Sequence, residues 1–137
     1  MRTIITYFSG TGNTAAMAEA IAEAIGIEAI EVGKVTAKQV LENDIIILGC
    51  SAMGAEELDA YEMEPLFSEI ENELAGKKVA LFGSYDWGDG EWMRTWYDRC
   101  VAGGAEMIQE EGLIAHLYPE EDDLVACKML GEKIKAM

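Results

Sequence analysis

The sequence has few cysteines and few basic residues. Its 137 residues include three cysteines with no Cys-x-x-Cys spacing, so neither a disulfide framework nor a zinc site is expected. Ten lysines and arginines stand against 26 aspartates and glutamates, a formal net charge of −16. Nucleic acids and anionic membrane surfaces repel such a chain, which excludes both as partners. The one histidine, His116, ends an apolar segment, where a structural role is expected rather than a catalytic one.

Long apolar segments are also missing. No apolar stretch reaches the length of a membrane span. The apolar run at the N-terminus is too short for a signal peptide, so we expect a cytoplasmic protein. Half of the residues are nonetheless hydrophobic, which is enough for a packed core. At this length we expect a single domain spanning residues 1–137.

Strand-like and helix-like patterns alternate along the chain. Apolar and β-branched runs predict strands at 3–8, 28–32, 44–50 and 77–85, with two further strand fragments within 105–117. Apolar residues at helical spacing predict helices at 13–26, 36–43, 62–74, 91–102 and 120–135. This alternation is typical of a parallel sheet with helices on both faces. We therefore expect a three-layer α/β domain of five strands that binds its ligand where the strands end.

The first loop after a strand is Ser-Gly-Thr-Gly-Asn-Thr, directly before a helix. Its glycines permit a tight turn, and its three hydroxyls and its N–H groups at a helix N-terminus attract a phosphate. It has no lysine, which excludes a nucleoside-triphosphate P-loop, and Ala15 replaces the third glycine of a dinucleotide motif. A turn with a simple hydroxyl cap is the alternative. Because the loop exceeds what a cap requires, we predict phosphate binding by Ser9, Gly10, Thr11, Gly12, Asn13 and Thr14.

Two further loops follow strands. Loop two, residues 50–57, combines the hydroxyl of Ser51 with the apolar Met53 and the acidic Glu56. Taken alone, it is also compatible with an inward-packed methionine and a solvated glutamate. Loop three, residues 84–90, places Trp87 among glycines and aspartates, which suits stacking on a flat ligand. Since strand ends meet at one edge of a parallel sheet, the three loops together predict a site for a flat aromatic ring with a phosphate tail.

These segments resemble the short-chain flavodoxins. The similarity lies in SGTGNT (9–14), LGCSAMGAEEL (48–58) and LFGSYDWGDGEWM (81–93), and it extends over essentially the whole chain. The resemblance implies a flavodoxin-like fold with strand order 2-1-3-4-5. It implies one noncovalently bound FMN and a cytoplasmic carrier of single low-potential electrons, using the semiquinone and hydroquinone couple, rather than an enzyme.

The resemblance also implies roles for individual residues. Residues 9–14 would wrap the phosphate, and Met53 and Trp87 would cover the two faces of the flavin. Gly54 would turn its carbonyl toward flavin N5–H after one-electron reduction, and Glu56 would accept a hydrogen bond from flavin N3–H. Backbone N–H groups of loop three would meet the pyrimidine end. Outside loop one, the implied FMN-binding residues are Ser51, Ala52, Met53, Gly54, Glu56, Ser84, Tyr85, Asp86, Trp87 and Gly88.

Three departures from the family pattern stand out. Ala55 follows Gly54 where relatives more often have Gly, Asn, Asp or Ser, and the turn formed after the carbonyl rotates needs positive φ there. Alanine resists that conformation by roughly 1 kcal/mol, which predicts less stabilisation of the one-electron-reduced state than a glycine would give. Asp86 stands where relatives often have glycine. Residues 116–119 lack an asparagine that some relatives have, so they are assigned no role.

Other functions suit this topology less well. A receiver-type phosphorylation switch needs acids after the first strand and an aspartate ending the third, where Cys50 and Ser51 stand. A quinone reductase needs a substrate pocket, and no acid–base pair is found near the three loops. An activator of ribonucleotide reductase is usually less acidic, and a non-redox binding module would not keep all three loops. The activator and the small flavoenzyme are kept as alternatives to the electron carrier.

The acidic residues near the predicted flavin edge indicate the partners. We expect a monomer that meets redox proteins with basic docking surfaces in transient, salt-sensitive encounters. The acidic residues predicted to take part are Glu56, Glu57, Asp59, Asp86, Asp89, Glu91 and those at 120–123.

Overall fold

Strands and helices alternate in the computed structural model, which describes all residues, 1–137. The strands are β1 (Thr3–Phe8), β2 (Ala29–Glu31), β3 (Ile45–Cys50), β4 (Lys78–Tyr85), β5 (Glu106–Met107) and β6 (Leu113–His116). The helices are α1 (Asn13–Ile25), α2 (Ala37–Leu41), α3 (Met63–Ile70), α4 (Glu91–Ala102) and α5 (Glu121–Lys135). Two short 3-10 helices, Val32–Lys34 and Glu71–Glu73, complete the chain.

The strands form one parallel sheet in the order β2-β1-β3-β4-β5, and β6 also pairs with β4. The fifth position of the sheet is therefore shared by two fragments, as the pattern at 105–117 predicted. Between them the Leu81 N–H donates to Gln109 Oε1 at 2.9 Å, so a side chain replaces the missing strand pairing. The predicted strand order and the flavodoxin-like fold are confirmed.

Helices cover both faces of the sheet, and the alternation of side chains along β3 divides the core. All six residues of β3 are buried. Ile46 and Leu48 face a cluster formed with α3 and α4, whereas Ile45 and Ile47 face α1 and α5. Each such aliphatic side chain contributes about 1.5–3 kcal/mol when fully buried. The two buried faces explain why this strand reads as a continuous apolar run.

The main difference from the predicted elements is at residues 62–74. The α-helix spans only Met63–Ile70, and a 3-10 turn follows it. The Asp59 carboxylate holds the start of this helix, because its Oδ2 accepts from the N–H groups of Glu62 and Met63 at 2.7 and 3.0 Å. Asp59 is only 3 % exposed. Its predicted place on a docking surface is therefore wrong, since the carboxylate is used inside the fold.

The helices are also informative about membranes. None of them combines the length and the apolar character that crossing a bilayer would require.

Candidate functional site

The three predicted loops meet at the carboxyl edge of the sheet, around one cavity of about 330 Å³. Every loop contributes to the wall, and so does one residue beyond β6. The lining residues are Gly10, Thr11, Asn13, Ser51, Ala52, Met53, Ser84, Tyr85, Asp86 and Leu117. Parallel sheets place ligand sites at this edge because all their strands end there.

Loop one turns tightly around the hydroxyl of its own first residue. Ser9 Oγ accepts from the N–H groups of Gly12 and Ala15, each at 3.1 Å. Gly12 has φ +94, a left-handed conformation that favours glycine. The N–H groups of Thr11, Asn13 and Thr14 donate to no acceptor in the protein. The loop thus presents unpaired backbone donors at the N-terminus of α1, the arrangement that binds anions in many proteins.

A buried cluster of three hydroxyls ties the loops together. Thr14 Oγ1 lies 2.8 Å from Ser51 Oγ and 2.7 Å from Ser84 Oγ. It also accepts from the Ser84 N–H at 3.2 Å, and Ser51 Oγ accepts from the Gly10 N–H at 3.3 Å. These contacts join the ends of β1, β3 and β4. The hydroxyl oxygens of Ser9 and Thr14 thus accept hydrogen bonds within the protein, and the predicted convergence of the three loop-one hydroxyls on a phosphate stays a prediction.

Loop two is closed by a pair of backbone hydrogen bonds. Met53 and Glu57 each donate an N–H to the other's carbonyl at 2.8 Å. Gly54 and Glu56, between them, have φ +51 and +57, whereas Ala55 does not have positive φ. The loop therefore projects a compact Gly-Ala-Glu tip beside the cavity.

The Glu56 carboxylate reaches across to loop three and α4. It accepts from the N–H groups of Gly90 and Trp92 at 3.2 and 2.9 Å. A Cβ on Gly88 would collide with this carboxylate, so the close approach requires glycine at 88. In this structure Glu56 stabilises the start of α4. Its predicted contact with flavin N3–H stays a prediction.

Loop three exposes its aromatic residue and its backbone donors. Trp87 is 63 % exposed, unlike Trp92 and Trp96, which are buried in the core. The N–H groups of Asp86, Trp87 and Gly88 have no acceptor in the protein. Loop three thus offers both an unpacked aromatic surface and free donors next to the cavity.

The strand ends beneath these loops are held rigidly. Trp92 Nε1 donates to the Cys50 carbonyl at 3.1 Å, and the Ala52 N–H donates to the Ser84 carbonyl at 2.9 Å. Burial raises the pKa of the Cys50 thiol to about 12, so it stays protonated at neutral pH. Cys50 is consequently a packing residue below the site rather than a reactive group.

Two residues at the end of β6, His116 and Leu117, were not predicted from the sequence to lie at the site. Leu117 lines the cavity and has φ +62. His116 Nε2 donates to the Asp86 carbonyl at 2.7 Å and so touches loop three. An apolar residue at a strand end is common and gave no signal of a role at the site. The only signal in this segment was the asparagine missing from 116–119.

The comparisons with known proteins identify a family. The flavodoxin family model matches residues 5–129. A flavodoxin of Clostridium beijerinckii is 47 % identical over 135 residues, covering 95 % of this chain and 96 % of the relative. A flavodoxin of Megasphaera elsdenii is 45 % identical over 133 residues, covering 93 % and 94 %.

Solved structures give the same result. The solution structure of two-electron reduced Megasphaera elsdenii flavodoxin superposes with a TM-score of 0.84 at 41 % identity, over 98 % of this chain and 99 % of that one. A flavodoxin from the domain Archaea gives a TM-score of 0.87 at 29 % identity, over 99 % and 97 %. These similarities favour an electron carrier over the activator and the small flavoenzyme. The chain belongs to the flavodoxin family and is an FMN-binding electron-transfer protein that exchanges electrons with redox partners.

Proposed function

We propose that FMN lies in the cavity at the carboxyl edge of the sheet and is held there by the sixteen residues predicted from the sequence. The observation behind this proposal is the arrangement of unpaired backbone donors. Residues with free N–H groups line one cavity from two loops, Thr11 and Asn13 from loop one and Asp86 from loop three. A phosphate and a heterocyclic ring are the two groups of FMN that accept hydrogen bonds in this way.

Loop one suits the phosphate end. Its free N–H groups belong to Thr11, Asn13 and Thr14, at the positive end of the α1 dipole. Neither lysine nor arginine is present in the loop, so hydrogen bonds and the dipole would balance the phosphate charge. Ser51 and Ser84 would stabilise the position of loop one through their hydrogen bonds with the buried hydroxyl of Thr14.

The other end of the cavity suits the ring. Met53 lines one wall, and a Cβ on Gly10 would lie 3.6 Å from its sulfur, so the thioether packs against loop one. Trp87 would cover the opposite face of the flavin, consistent with its exposure. The N–H groups of Asp86, Trp87 and Gly88 would bind the pyrimidine end, and Glu56 would accept from N3–H.

FMN supplies the electron-transfer chemistry when it is bound, and the protein adjusts its potential. Apolar walls and surrounding carboxylates disfavour added negative charge in the cavity, which makes the fully reduced protein a strong electron donor. Gly54 tolerates either sign of φ, so its carbonyl can turn toward N5–H.

We further propose that the chain works as a single-domain monomer in the cytoplasm and meets basic redox partners transiently. The net charge of −16 and the exposed carboxylates of Glu57, Asp86 and Asp89 support an electrostatically steered encounter. All three cysteines are buried and unpaired, which suits a reducing compartment.

The placement of the phosphate is tested with two matched glycine variants. Gly12 and Gly26 have φ +94 and +90, and neither has an atom within 4 Å of an added Cβ. Gly12→Ala and Gly26→Ala therefore introduce the same strain, about 1 kcal/mol in the stability of the apoprotein. We expect a yellow wild-type complex and an FMN affinity that falls at least tenfold in Gly12→Ala alone, measured by quenching of flavin fluorescence.

The comparison has two informative outcomes. Weakened FMN binding in Gly12→Ala with normal binding in Gly26→Ala places the phosphate at loop one. Equal affinities in the two variants refute that placement, whatever the stability of each apoprotein.

A further inference from the structure

A second cavity, of about 380 Å³, lies between α4 and the segment that joins β5 to β6. Gly90, the last residue of loop three, lines this cavity, whereas Asp86 of the same loop lines the cavity proposed for FMN. The two cavities are therefore neighbours that share one loop. None of the sixteen residues assigned to FMN lines the second cavity, so binding of the cofactor does not explain it.

One wall of the second cavity is apolar and fixed in position. Met93, which is 2 % exposed, forms this wall together with the half-buried Tyr97 and Ile114. The Tyr97 hydroxyl donates to the Gln109 carbonyl at 2.7 Å, which holds the aromatic ring in place. A Cβ on Gly112 would collide with the Met93 side chain, so the chain approaches α4 this closely only with glycine there. The apolar wall is thus already formed in the protein alone.

The other lining residues leave negative charge without a partner. The carboxylates of Asp98, Glu110 and Glu111 line the cavity and take part in no ion pair. Arg94 also lines the cavity, but its guanidinium donates to the carbonyl and the carboxylate of Asp89 at 3.0 and 2.9 Å. Since Asp89 balances the one arginine, the three carboxylates remain uncompensated.

The apolar wall and the unpaired charge lie close together. Burial and the negative charge of Glu110 raise the pKa of the Tyr97 hydroxyl, so the charge acts on the wall itself. Solvation accounts for exposed carboxylates, but it does not account for an apolar cavity beside them. Lysine and arginine side chains combine an aliphatic stem with a cationic end, and a cation is also attracted to an aromatic ring.

We propose that this cavity is an anchoring site for one lysine or arginine side chain of a basic redox partner. The aliphatic stem packs against Met93 and Tyr97, and the cationic end lies among the carboxylates of Asp98, Glu110 and Glu111. The inference rests on the proposed encounter with basic partners and adds the place where one partner side chain is held. Because the cavity adjoins loop three, the anchor would fix the orientation of the partner next to the cofactor site.

Two small cations test the cavity in the FMN-loaded protein. n-Butylammonium reproduces the lysine side chain, and methylammonium has the same charge without the stem. At low ionic strength we expect n-butylammonium to bind about fivefold more tightly, because its stem is buried against the apolar wall. NMR titration of the Tyr97 and Gly112 amides measures both affinities. Equal affinities, or shifts that do not include these amides, would overturn the inference.

A pair of double variants with equal charge locates the binding. Glu110→Gln with Glu111→Gln should weaken n-butylammonium binding about fivefold, since two ion pairs are lost. Glu23→Gln with Glu132→Gln removes the same charge from exposed positions on α1 and α5 and should leave the affinity within twofold of the wild type. None of these four side chains takes part in an ion pair within the protein, so both double variants should fold. Equal weakening in the two would show that net charge, not the cavity, attracts the cation.

The same variants test the anchor with a protein partner. With cytochrome c as the basic acceptor, the double variant at 110 and 111 should transfer electrons about threefold more slowly than the control double variant at low salt. A salt-sensitive reaction with equal rates in the two variants refutes the anchor alone and leaves the encounter with basic partners standing. A rate that does not respond to salt refutes that encounter, and the anchor with it.

Discussion

At the scale of single residues, we expect the backbone of loop one to contribute more to phosphate binding than its hydroxyls do. The hydroxyls of Ser9 and Thr14 bond to protein groups, while the N–H groups of Thr11, Asn13 and Thr14 stay free. Side-chain substitutions in this loop therefore act largely by moving the backbone. Glycine positions are the more direct test of phosphate binding.

Ala55 is expected to lower the midpoint potential of the first reduction step relative to a turn that has glycine at this position. It does not have positive φ in this structure, whereas both of its neighbours do. Ala55→Gly should raise the midpoint potential of the first reduction step by about 40 mV, the equivalent of roughly 1 kcal/mol for one electron. Spectroelectrochemical titration measures this value.

Ala60→Gly provides the control for that titration. Ala60 is exposed in the same inter-element segment but does not line the cavity, so its substitution should leave the potential unchanged. An unchanged or lowered first-step potential in Ala55→Gly would refute the role given to residue 55.

At the scale of secondary-structure elements, Arg99 joins α3, the 3-10 turn after it and α4. Its guanidinium forms two bonds with Glu64, at 2.7 and 2.8 Å, and two with Glu71, at 2.8 and 3.0 Å. It also lies 4.8 Å from the centroid of the Phe67 ring. The hydrogen bonds from Arg99 hold the pKa values of both glutamates below their usual range.

Removing this guanidinium should destabilise the fold without affecting the cofactor site. We expect Arg99→Gln to lower the free energy of unfolding by about 1–2 kcal/mol at pH 7, as judged by urea denaturation. Arg94→Gln, which breaks a pair with Asp89 whose side chains are 59 % and 79 % exposed, should leave the free energy of unfolding nearly unchanged.

The effect of Arg99 should depend on pH in a defined direction. Carboxyl groups with lowered pKa stabilise the folded state above their ordinary pKa of 4.5 and lose that contribution as the pH falls through the folded-state value. The difference between wild type and Arg99→Gln should thus shrink below pH 4.5. A difference that is constant from pH 7 to pH 3 would show that packing, not charge, dominates.

At the scale of the whole molecule, the net charge of −16 acts on encounters rather than on the fold. Several exposed carboxylates lie on or next to the loops that surround the cavity, among them Glu57, Asp86 and Asp89. Because the carboxylate of Asp59 is buried, the acidic surface is smaller than the sequence predicts.

Electron transfer to a basic redox protein should be sensitive to salt and to the position of the charge. With cytochrome c as the acceptor, we expect the bimolecular rate to fall about tenfold between 20 and 200 mM salt. Glu57→Gln should slow the reaction at low salt more than Glu132→Gln, an exposed glutamate on α5. Equal rates in the two variants, measured by stopped flow, would argue against docking near the cavity.

Local sequence patterns were sufficient to predict the layers of the fold and the positions of the three loops. The periodic apolar residues of α1 and the continuous apolar run of β3 result from burial, and both patterns can be read directly from a sequence. Helix ends were less predictable, because the start of α3 depends on a carboxylate of Asp59 whose burial follows from packing. The pairing of Gln109 with β4 is likewise a contact between segments distant in sequence.

The sequence by itself determined the fold class and the edge of the sheet where the three loops meet, since these follow from periodicity and from glycine and hydroxyl chemistry. Only the tertiary structure decided which donors remain free, where Glu56 and Asp59 place their carboxylates, and that Leu117 reaches the cavity in a left-handed conformation. Hydrogen-bond partners lie up to 70 residues apart, as in the bond between Thr14 and Ser84, and such pairings leave no periodic pattern in a single chain.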